Sequence, residues 1–217
     1  FPIKGVIWYQ GEANVGRSEQ YEDLFPALIT DWRRQWRSDF PFYFVQLANF
    51  MESKEIQPDS EWAALREAQT KALKLDQVGM AVTIDIGLAD DIHPKNKQEV
   101  GRRLALVALV GSYGKNVSGS APVFRNYRIK GDKMELDFGQ KQDGFQIKGT
   151  TLKGFTIAGP DRVFYPAEAM VHDGKIILSS TEVPAPLAAR YGWADNPDCN
   201  LYGENGLPVA PFRTDCW

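Results

Sequence analysis

The sequence predicts an α/β protein in which a parallel β-sheet with helices on both faces is followed by a smaller β-rich region. From residue 1 to about 118, three short apolar runs alternate with segments whose apolar residues recur at helical spacing. From residue 119 to 217, short apolar runs are separated by turn pairs such as Gly131-Asp132 and Asp173-Gly174. Because alternating strands and helices imply right-handed crossovers, we expect a three-layer α/β/α sandwich over residues 1–118.

The expected elements of the first half follow one another closely. Val6–Tyr9 has the pattern of a buried strand, and apolar residues recur at helical spacing from Tyr21 to Trp36. Pro41–Ala48 is rich in aromatic and branched residues, which favour a second strand. The remaining expected elements are a helix from about Trp62, a strand at Gly79–Ile86, and a helix that starts at Pro94 and runs to Gly111.

The second half is expected to be β-rich, either as a small sandwich or as a sheet packed against the α/β half. Its expected strands are Arg128–Lys130, Met134–Phe138, Phe155–Ala158, Met170–His172 and Ile176–Ser179. The closing stretch Val183–Trp217 is rich in Pro, Gly, Asn and Trp, so we expect an irregular extension along the surface.

Composition excludes several classes of function. The chain is 43% hydrophobic, which is enough for a packed core. Its net charge of −3 and lack of a long basic run give no reason to expect a nucleic-acid partner. No run approaches the roughly 20 apolar residues of a membrane helix, so no membrane span is expected. Two histidines and two distant cysteines do not form a zinc site, and no phosphate-binding glycine loop follows the first strand, so no metal and no cofactor is expected.

Polar residues follow each of the three expected parallel strands. Gln10-Gly11-Glu12-Ala13-Asn14 follows the first strand, Gln46 and Asn49 lie at the end of the second, and Asp85 with Asp90-Asp91-Ile92-His93 follows the third. Ligands bind at the carboxyl ends of strands in open parallel sheets, so these residues predict an active site at this edge. Polar loops are common after strands, but three such clusters together favour a functional site over an ordinary surface.

His93 is the strongest candidate for a catalytic residue, because the chain has only two histidines and the other, His172, lies in a hairpin-like turn. Asp90 precedes His93 by three residues, so its carboxylate can hold one imidazole nitrogen while the other accepts a proton from a nucleophilic hydroxyl. The structural alternatives are a helix cap or a simple hydrogen bond between His93 and Asp90. Glu12 with Asp85 or Asp90 can also form a glycosidase carboxylate pair, and the sequence leaves their separation open.

Several segments resemble the sialate O-acetylesterase family, whose catalytic domain is of the SGNH hydrolase type. Gly5 to Asn14 is similar to the family's Trp-x-Gln-Gly-Glu-x-Asn segment, and Asp90 to Pro94 is similar to its Asp-x-x-His element. The resemblance extends over nearly the whole chain. Further matching segments are Phe44–Asn49, Leu65–Gln69, Asn96–Leu104, Arg190–Trp193, Asn200–Tyr202, Gly206–Pro208 and Pro211–Arg213.

The resemblance implies hydrolysis of acetyl esters on sugar hydroxyls, sialic acid foremost, through an acyl-serine intermediate. It makes His93 the general base, Asp90 its orienting acid and Gln10 an oxyanion donor, whose loss typically costs about 3 kcal/mol of transition-state stabilisation. Glu12 is either the triad acid or an anchor of its loop. We expect Asn14, Gln46 and Asn49 to line the substrate site. Trp193 can stack on a sugar ring or pack onto the domain body.

The chain departs from the family pattern in its nucleophile. The sequence has no equivalent of the family's Gly-x-Ser element near the N-terminus of the catalytic domain, since Ser18, Ser38, Ser53 and Ser60 lie on helices or in charged loops. Gly111-Ser112-Tyr113-Gly114 ends a helix rather than starting one. We therefore expect the nucleophilic serine and its strand to lie upstream of Phe1, which leaves the chain catalytically incomplete. A noncatalytic carbohydrate-binding role is the alternative.

The two cysteines, Cys199 and Cys216, both lie in the closing stretch. A disulfide between them and two free thiols are equally compatible with the sequence. Pairing would favour a secreted or periplasmic location.

Overall fold

The first half of the chain folds around three parallel strands. The computed structural model describes residues 3–140 and 144–217. β1 (Val6–Trp8) pairs with β2 (Phe42–Val45), and β2 pairs with β3 (Val78–Ala81), so the strand order equals the chain order. Three helices, α1 (Ser18–Trp36), α2 (Glu61–Lys71) and α3 (Lys97–Gly111), connect or follow these strands.

The two faces of this sheet pack against different helices. Successive side chains of a strand point to opposite faces. Phe42 and Phe44 of β2 pack with residues of α1 and α2, whereas Tyr43 and Val45 pack with residues of α3. The expected α/β class and the helices on both faces are therefore present.

β1 differs from the expected buried strand. Among the described residues it is paired with β2 alone, and the side chain of Ile7 is 69% exposed. Ile7 lies on the same face as Tyr43 of β2, but α3 packs against β2 and β3 and leaves β1 uncovered. Burial was predicted from apolar composition, which does not reveal which strand stands at a sheet edge.

The other elements of the first half differ from expectation mainly at their ends. β2 and β3 stop at Val45 and Ala81, because the chain then turns into the loops of the carboxyl edge while remaining buried through Ala48 and Ile84. α3 does not start at Pro94. It begins at Lys97 because the side chain of Asn96 accepts the backbone N–H of Glu99 and so caps the helix.

The second half contains two antiparallel sheets of four strands. The first has the order β4 (Asn126–Lys130), β5 (Lys133–Asp137), β10 (Lys175–Ser179) and β9 (Glu168–His172). The second has the order β13 (Phe212–Arg213), β11 (Ala188–Tyr191), β7 (Phe155–Ala158) and β8 (Phe164–Pro166). A separate pair joins β12 (Leu201–Gly203) to β6 (Phe145–Ile147).

The two four-stranded sheets of the β-rich region share an apolar core. Leu136 of β5 and Leu178 of β10 lie in one apolar cluster with Ile157 of β7 and Tyr191 of β11, so the two four-stranded sheets enclose a common interior. This arrangement corresponds to the sandwich alternative. The five strands predicted for this region are present with ends shifted by up to two residues.

The closing stretch is not an irregular surface extension. It supplies β11, β12 and β13, and its residues Tyr191, Leu201 and Val209 lie in the core of the β-rich region. The predicted irregularity followed from Pro and Gly content, which fixes turns but does not report burial. Cys199 and Cys216 are both free, so the disulfide alternative is wrong for this structure.

The two halves share apolar contacts. Ala121, Val123 and Ala210 pack with the core formed by the sheet, α1 and α2. The division at residue 118 remains a prediction. None of the described helices combines the length and apolar character required to cross a membrane.

Candidate active site

The carboxyl ends of β1, β2 and β3 meet at one edge of the parallel sheet. Three loops leave this edge: residues 9–17, residues 46–60 and residues 82–96. Every residue of the predicted edge site except Trp193 lies on one of them.

The first loop is fixed by the Gln10 amide. Its Nε2 donates to Oδ1 of Asn14 (2.6 Å), and its Oε1 accepts from the Tyr21 hydroxyl (3.2 Å). Its backbone carbonyl accepts from Nε2 of Gln69 (3.2 Å). A Cβ at Gly11 would stand 2.9 Å from that same Gln69 nitrogen, so a side chain here would displace the Gln69 amide. Gln10 and Asn14 are thus held together at the end of β1.

Gln69 was not predicted as a site residue, although it connects two strand ends. It is buried on α2, where its Oε1 accepts from the backbone N–H of Leu47 (2.9 Å) while its Nε2 reaches Gln10. The helical spacing of Trp62, Leu65 and Gln69 places this amide on the buried face of α2. A polar residue on an apolar helical face was the available signal.

Glu12 is partly exposed and begins the short 3₁₀ turn Glu12–Asn14. Within the described residues its carboxylate accepts no hydrogen bond, so the expected loop anchor is supplied by Gln10 instead. Burial, together with the nearby Glu12 charge, raises the pKa of Tyr9 to about 12. The Tyr9 hydroxyl is buried, and in the described part of the chain it has no hydrogen-bond partner. The Glu12 carboxylate is therefore not engaged by a described residue, and the Tyr9 hydroxyl near it is neutral.

Gln46 does not line the edge as expected. Its side chain is buried, and its Nε2 donates to the Arg66 carbonyl (3.1 Å) and to the Thr70 hydroxyl (2.8 Å). Gln46 follows β2 directly, and at that position its side chain points into the layer between sheet and α2. It cannot contact a substrate in this arrangement.

Asn49 links two other segments. Its Nδ2 donates to Oδ1 of Asn196 (2.7 Å), and its Oδ1 accepts from the backbone N–H of Gly87 (2.7 Å). Since Gly87 begins the loop that leads to His93, Asn49 joins the loops after β2 and β3. Its amide is engaged at both ends within the protein.

His93 is exposed, with 87% of its side chain accessible. The neighbouring carboxylate is Asp91, not the expected Asp90. Oδ1 of Asp91 accepts the His93 backbone N–H (2.9 Å) and lies 3.6 Å from Nδ1 of the imidazole. Asp90 is exposed and forms no hydrogen bond among the described residues. The tight turn closed by this hydrogen bond places Asp91, two residues before His93, beside the ring, whereas Asp90 is three residues before it.

The electrostatics of Asp91 agree with this contact. The hydrogen bond from the His93 backbone N–H holds the pKa of Asp91 below its usual range, and the charges of Lys95 and His93 act in the same direction. Nζ of Lys95 lies 3.8 Å from Oδ2 of Asp91. Asp91 is therefore an ionised carboxylate next to the imidazole.

Asp85 is a structural carboxylate. It accepts two hydrogen bonds from the Arg103 guanidinium (2.6 and 3.0 Å) and one from the Tyr202 hydroxyl (3.1 Å). Arg103 is buried on α3 and also contacts Glu99 (2.7 Å). Both oxygens of Asp85 are occupied, which disfavours a glycosidase pair between Asp85 and Glu12.

Trp193 lies on the closing stretch, outside the three edge loops, and contacts the end of the loop after β2. Its indole N–H donates to the Pro58 carbonyl (3.1 Å), and the guanidinium groups of Arg190 and Arg213 stand 5.1 and 4.7 Å from its ring. It lines two grooves, of about 470 and 600 Å³. The larger groove reaches Arg17, which donates to the Ala13 carbonyl (2.7 Å) in the loop after β1.

Three parallel strands with polar loops at a common edge define an α/β protein with a candidate hydrolase site. Residues 2–109 match the family described as carbohydrate esterase, sialic acid-specific acetylesterase. The chain belongs to this family.

Similarity to known proteins extends beyond the α/β half. The sialate O-acetylesterase of Mus musculus is 30% identical to this chain and that of Homo sapiens is 31% identical, in each case over 97% of the chain. The chain covers 44% of the mouse protein and 45% of the human protein. A carbohydrate acetylesterase from Xanthomonas citri has a structure that matches the whole chain with a TM-score of 0.93 and 46% identity, and the chain covers 51% of it. The chain thus spans about half the length of these relatives.

Proposed function

We propose that this chain is part of a carbohydrate O-acetylesterase that removes acetyl groups from sugar hydroxyls, with acetylated sialic acid as the foremost substrate. The exposed His93 beside ionised Asp91, at the edge that also carries Gln10 and Glu12, is the observation that carries the proposal. Family membership and the named activities of the relatives support the acetyl ester as substrate. No cofactor is required by this chemistry.

In the proposed SGNH-type mechanism His93 acts as the general base. It takes the proton of a serine hydroxyl as the serine oxygen attacks the ester carbonyl carbon, and it gives this proton to the departing sugar oxygen. Water, deprotonated by His93, then attacks the acyl-serine and releases acetate while the serine recovers its proton. Asp91 replaces Asp90 as the orienting acid, because its carboxylate approaches Nδ1 and leaves Nε2 accessible.

We propose that the nucleophilic serine comes from a segment outside these 217 residues, upstream in the same protein. The elbow-like Ser112 follows the end of α3, a helix of 15 residues that begins just after the His93 loop. Such a helix spans about 22 Å, so Ser112 lies far from the carboxyl edge. The edge of β1 that no described strand pairs with, together with exposed Ile7, offers a place for a further strand.

The remaining edge residues have supporting roles in this proposal. The Gln10 amide supplies an N–H to the oxyanion, with Asn14 fixing its orientation (2.6 Å). Glu12 has a carboxylate that no described residue engages, so it can contact a substrate hydroxyl or the catalytic imidazole. The groove beside Trp193 is proposed to hold the glycan that carries the ester.

A secreted or periplasmic location remains part of the proposal, but the cysteines do not support it. Cys199 and Cys216 are unpaired, so they give no indication of an oxidising compartment.

The test is hydrolysis of an aryl acetate by this chain and by the chain extended upstream, each with His93→Ala. His172→Ala serves as the matched control because His172 lies on β9, at the hairpin turn of the β-rich region. We expect activity only in the extended protein, lost by at least 100-fold in His93→Ala and unchanged in His172→Ala. Activity of the short chain that depends on His93 would place the nucleophile within these residues. Activity that survives His93→Ala would reject the proposed mechanism.

A further inference from the structure

Arg66 is a fully buried cation whose partners among the described residues are all backbone carbonyls. It lies on α2 and is 0% exposed. Its guanidinium donates to the carbonyls of Leu47 (3.0 Å) and Ala48 (3.0 Å) after β2, and to those of Ala194 (2.7 Å) and Asp195 (2.7 Å) in the closing stretch. One side chain thus connects two segments that are almost 150 residues apart in the chain.

The geometry of this contact is restrictive. Burial lowers the pKa of Arg66 to about 9, which still leaves the guanidinium charged at neutral pH. A buried charge must have its donors satisfied, and the planar guanidinium presents them in fixed directions. The four carbonyls therefore have to stay in register, and Arg66 fixes the closing stretch against the loop after β2.

Asp195 extends this connection along the loop after β2. Its carboxylate accepts from the Ser60 hydroxyl (2.6 Å) and from Nε2 of Gln57 (2.5 Å). Its backbone carbonyl accepts from the N–H of Phe50 (3.2 Å) in addition to Arg66. The loop of residues 50–60 is thereby attached to one residue of the closing stretch.

Asn196 carries the connection to the loop of His93. It accepts from Nδ2 of Asn49, whose Oδ1 accepts the Gly87 backbone N–H, both at 2.7 Å. A Cβ at Gly87 would lie 1.8 Å from the Asn49 carbonyl oxygen, so the two backbones are in direct contact. Gly87 begins the segment that leads to Asp91 and His93.

We propose that Arg66 and Asn196 are positioning residues for His93. Through Asn49, residues 194–196 of the closing stretch fix the position of Gly87 and hence of the segment that carries His93. The β-rich half therefore contributes to the geometry of the active site. Loosening this contact moves His93 away from the reacting proton and lowers kcat, while KM changes little because neither residue touches substrate. The inference rests on the proposed esterase function.

Asn196→Ala in the full-length enzyme is the test. It removes the acceptor for Asn49 and the donor to the Met51 carbonyl (2.6 Å). Asn196→Asp loses only the donor and retains an acceptor oxygen for Asn49, so it is expected to keep most of the rate. Asn205→Ala is the matched control, since that amide also holds loop backbone, at Ser118 and Ser120, with no bond to Asn49. Arg66 is unsuitable because its removal leaves the buried carbonyls of Leu47 and Ala194 without a donor among the described residues and is expected to unfold the protein.

We expect Asn196→Ala to lower kcat on an aryl acetate by about tenfold with KM within twofold, and to accelerate hydrogen exchange at the Gly87 amide. In a His93→Ala background the same substitution should have no further effect on the residual rate, because its influence acts through His93. An equal loss in both backgrounds, or unchanged Gly87 exchange, would overturn the inference. Absence of any His93-dependent hydrolysis in the unmodified protein would count against the proposed function instead, while Gly87 exchange still reports the contact.

Discussion

At the scale of single residues, the backbone turn before His93 determines which carboxylate lies beside the imidazole. Asp90 and Asp91 are adjacent and chemically identical, but only Asp91 lies within 3.6 Å of the imidazole. Asp91 also accepts the His93 backbone N–H, which fixes the turn that brings the two together. The separation in sequence therefore does not identify the orienting acid.

The prediction at this scale compares Asp91→Asn with Asp90→Asn in the full-length protein. Loss of the carboxylate beside His93 removes the charge that orients and stabilises the imidazolium, so Asp91→Asn should lower kcat by about 100-fold or more. Asp90→Asn should change kcat by no more than about threefold, since its side chain is exposed. Steady-state hydrolysis of an aryl acetate measures both, and the reverse ranking would restore Asp90 to the role.

At the scale of elements, α2 is the part of the chain that organises the carboxyl edge. Its buried face carries Arg66 and Gln69, which bind backbone groups after β1, β2 and β11. Ser60 caps its first turn by accepting the Ala63 N–H (3.0 Å) and at the same time donates to Asp195 (2.6 Å). One helix therefore sets both its own start and the position of the closing stretch.

Ser60→Ala tests this double role. An N-cap alone contributes about 1 kcal/mol, and leaving the Asp195 carboxylate with one donor fewer adds to this loss. We expect the free energy of unfolding to fall by about 2 kcal/mol, measured by urea denaturation. Ser18→Ala is the control, since the residue is at the start of α1 and α1 has no side-chain cap bond. Equal effects of the two substitutions would contradict the assignment.

At the scale of the whole molecule, the α/β half and the β-rich half are joined by polar and apolar contacts. Asp85 of the first half accepts from Tyr202 of the second (3.1 Å), and Glu67 accepts from Arg213 (2.9 Å). Ala210 packs in the core of the α/β half. A protein chain connected in this way is expected to unfold as one unit rather than as two modules.

The corresponding prediction concerns a fragment of residues 1–118. Without the β-rich half Arg66 loses two of its four acceptors and Asp85 loses its Tyr202 donor, so we expect the fragment to lack a cooperative thermal transition. Circular dichroism and amide NMR dispersion are the measurements, with the 217-residue chain as the reference. A fragment with a sharp transition and dispersed spectrum would show that the boundary near residue 118 separates independent domains.

Much of the fold and part of the site were predictable from local sequence. Helical repeats located α1, and turn pairs located strands such as β7, whose bounds Phe155–Ala158 were predicted without error. The edge position of Gln10, Asn49 and His93 followed from the rule that loops after parallel strands share one edge. Strands β11 to β13 were missed because short, Pro- and Gly-interrupted segments acquire their pairing only from distant partners.

The sequence by itself determined the α/β class, the order of the elements and the loops that carry polar chemistry, because periodicity and turn residues act over a few neighbouring positions. Only the tertiary structure decided that Gln46 is buried, that Asp91 rather than Asp90 adjoins His93, and that Arg66 connects the closing stretch to the loop after β2. These outcomes depend on side-chain direction and on contacts between residues far apart in the chain, as in the bond between Arg66 and Ala194 (2.7 Å). Burial and pairing are properties of the assembled fold, so local patterns cannot specify them.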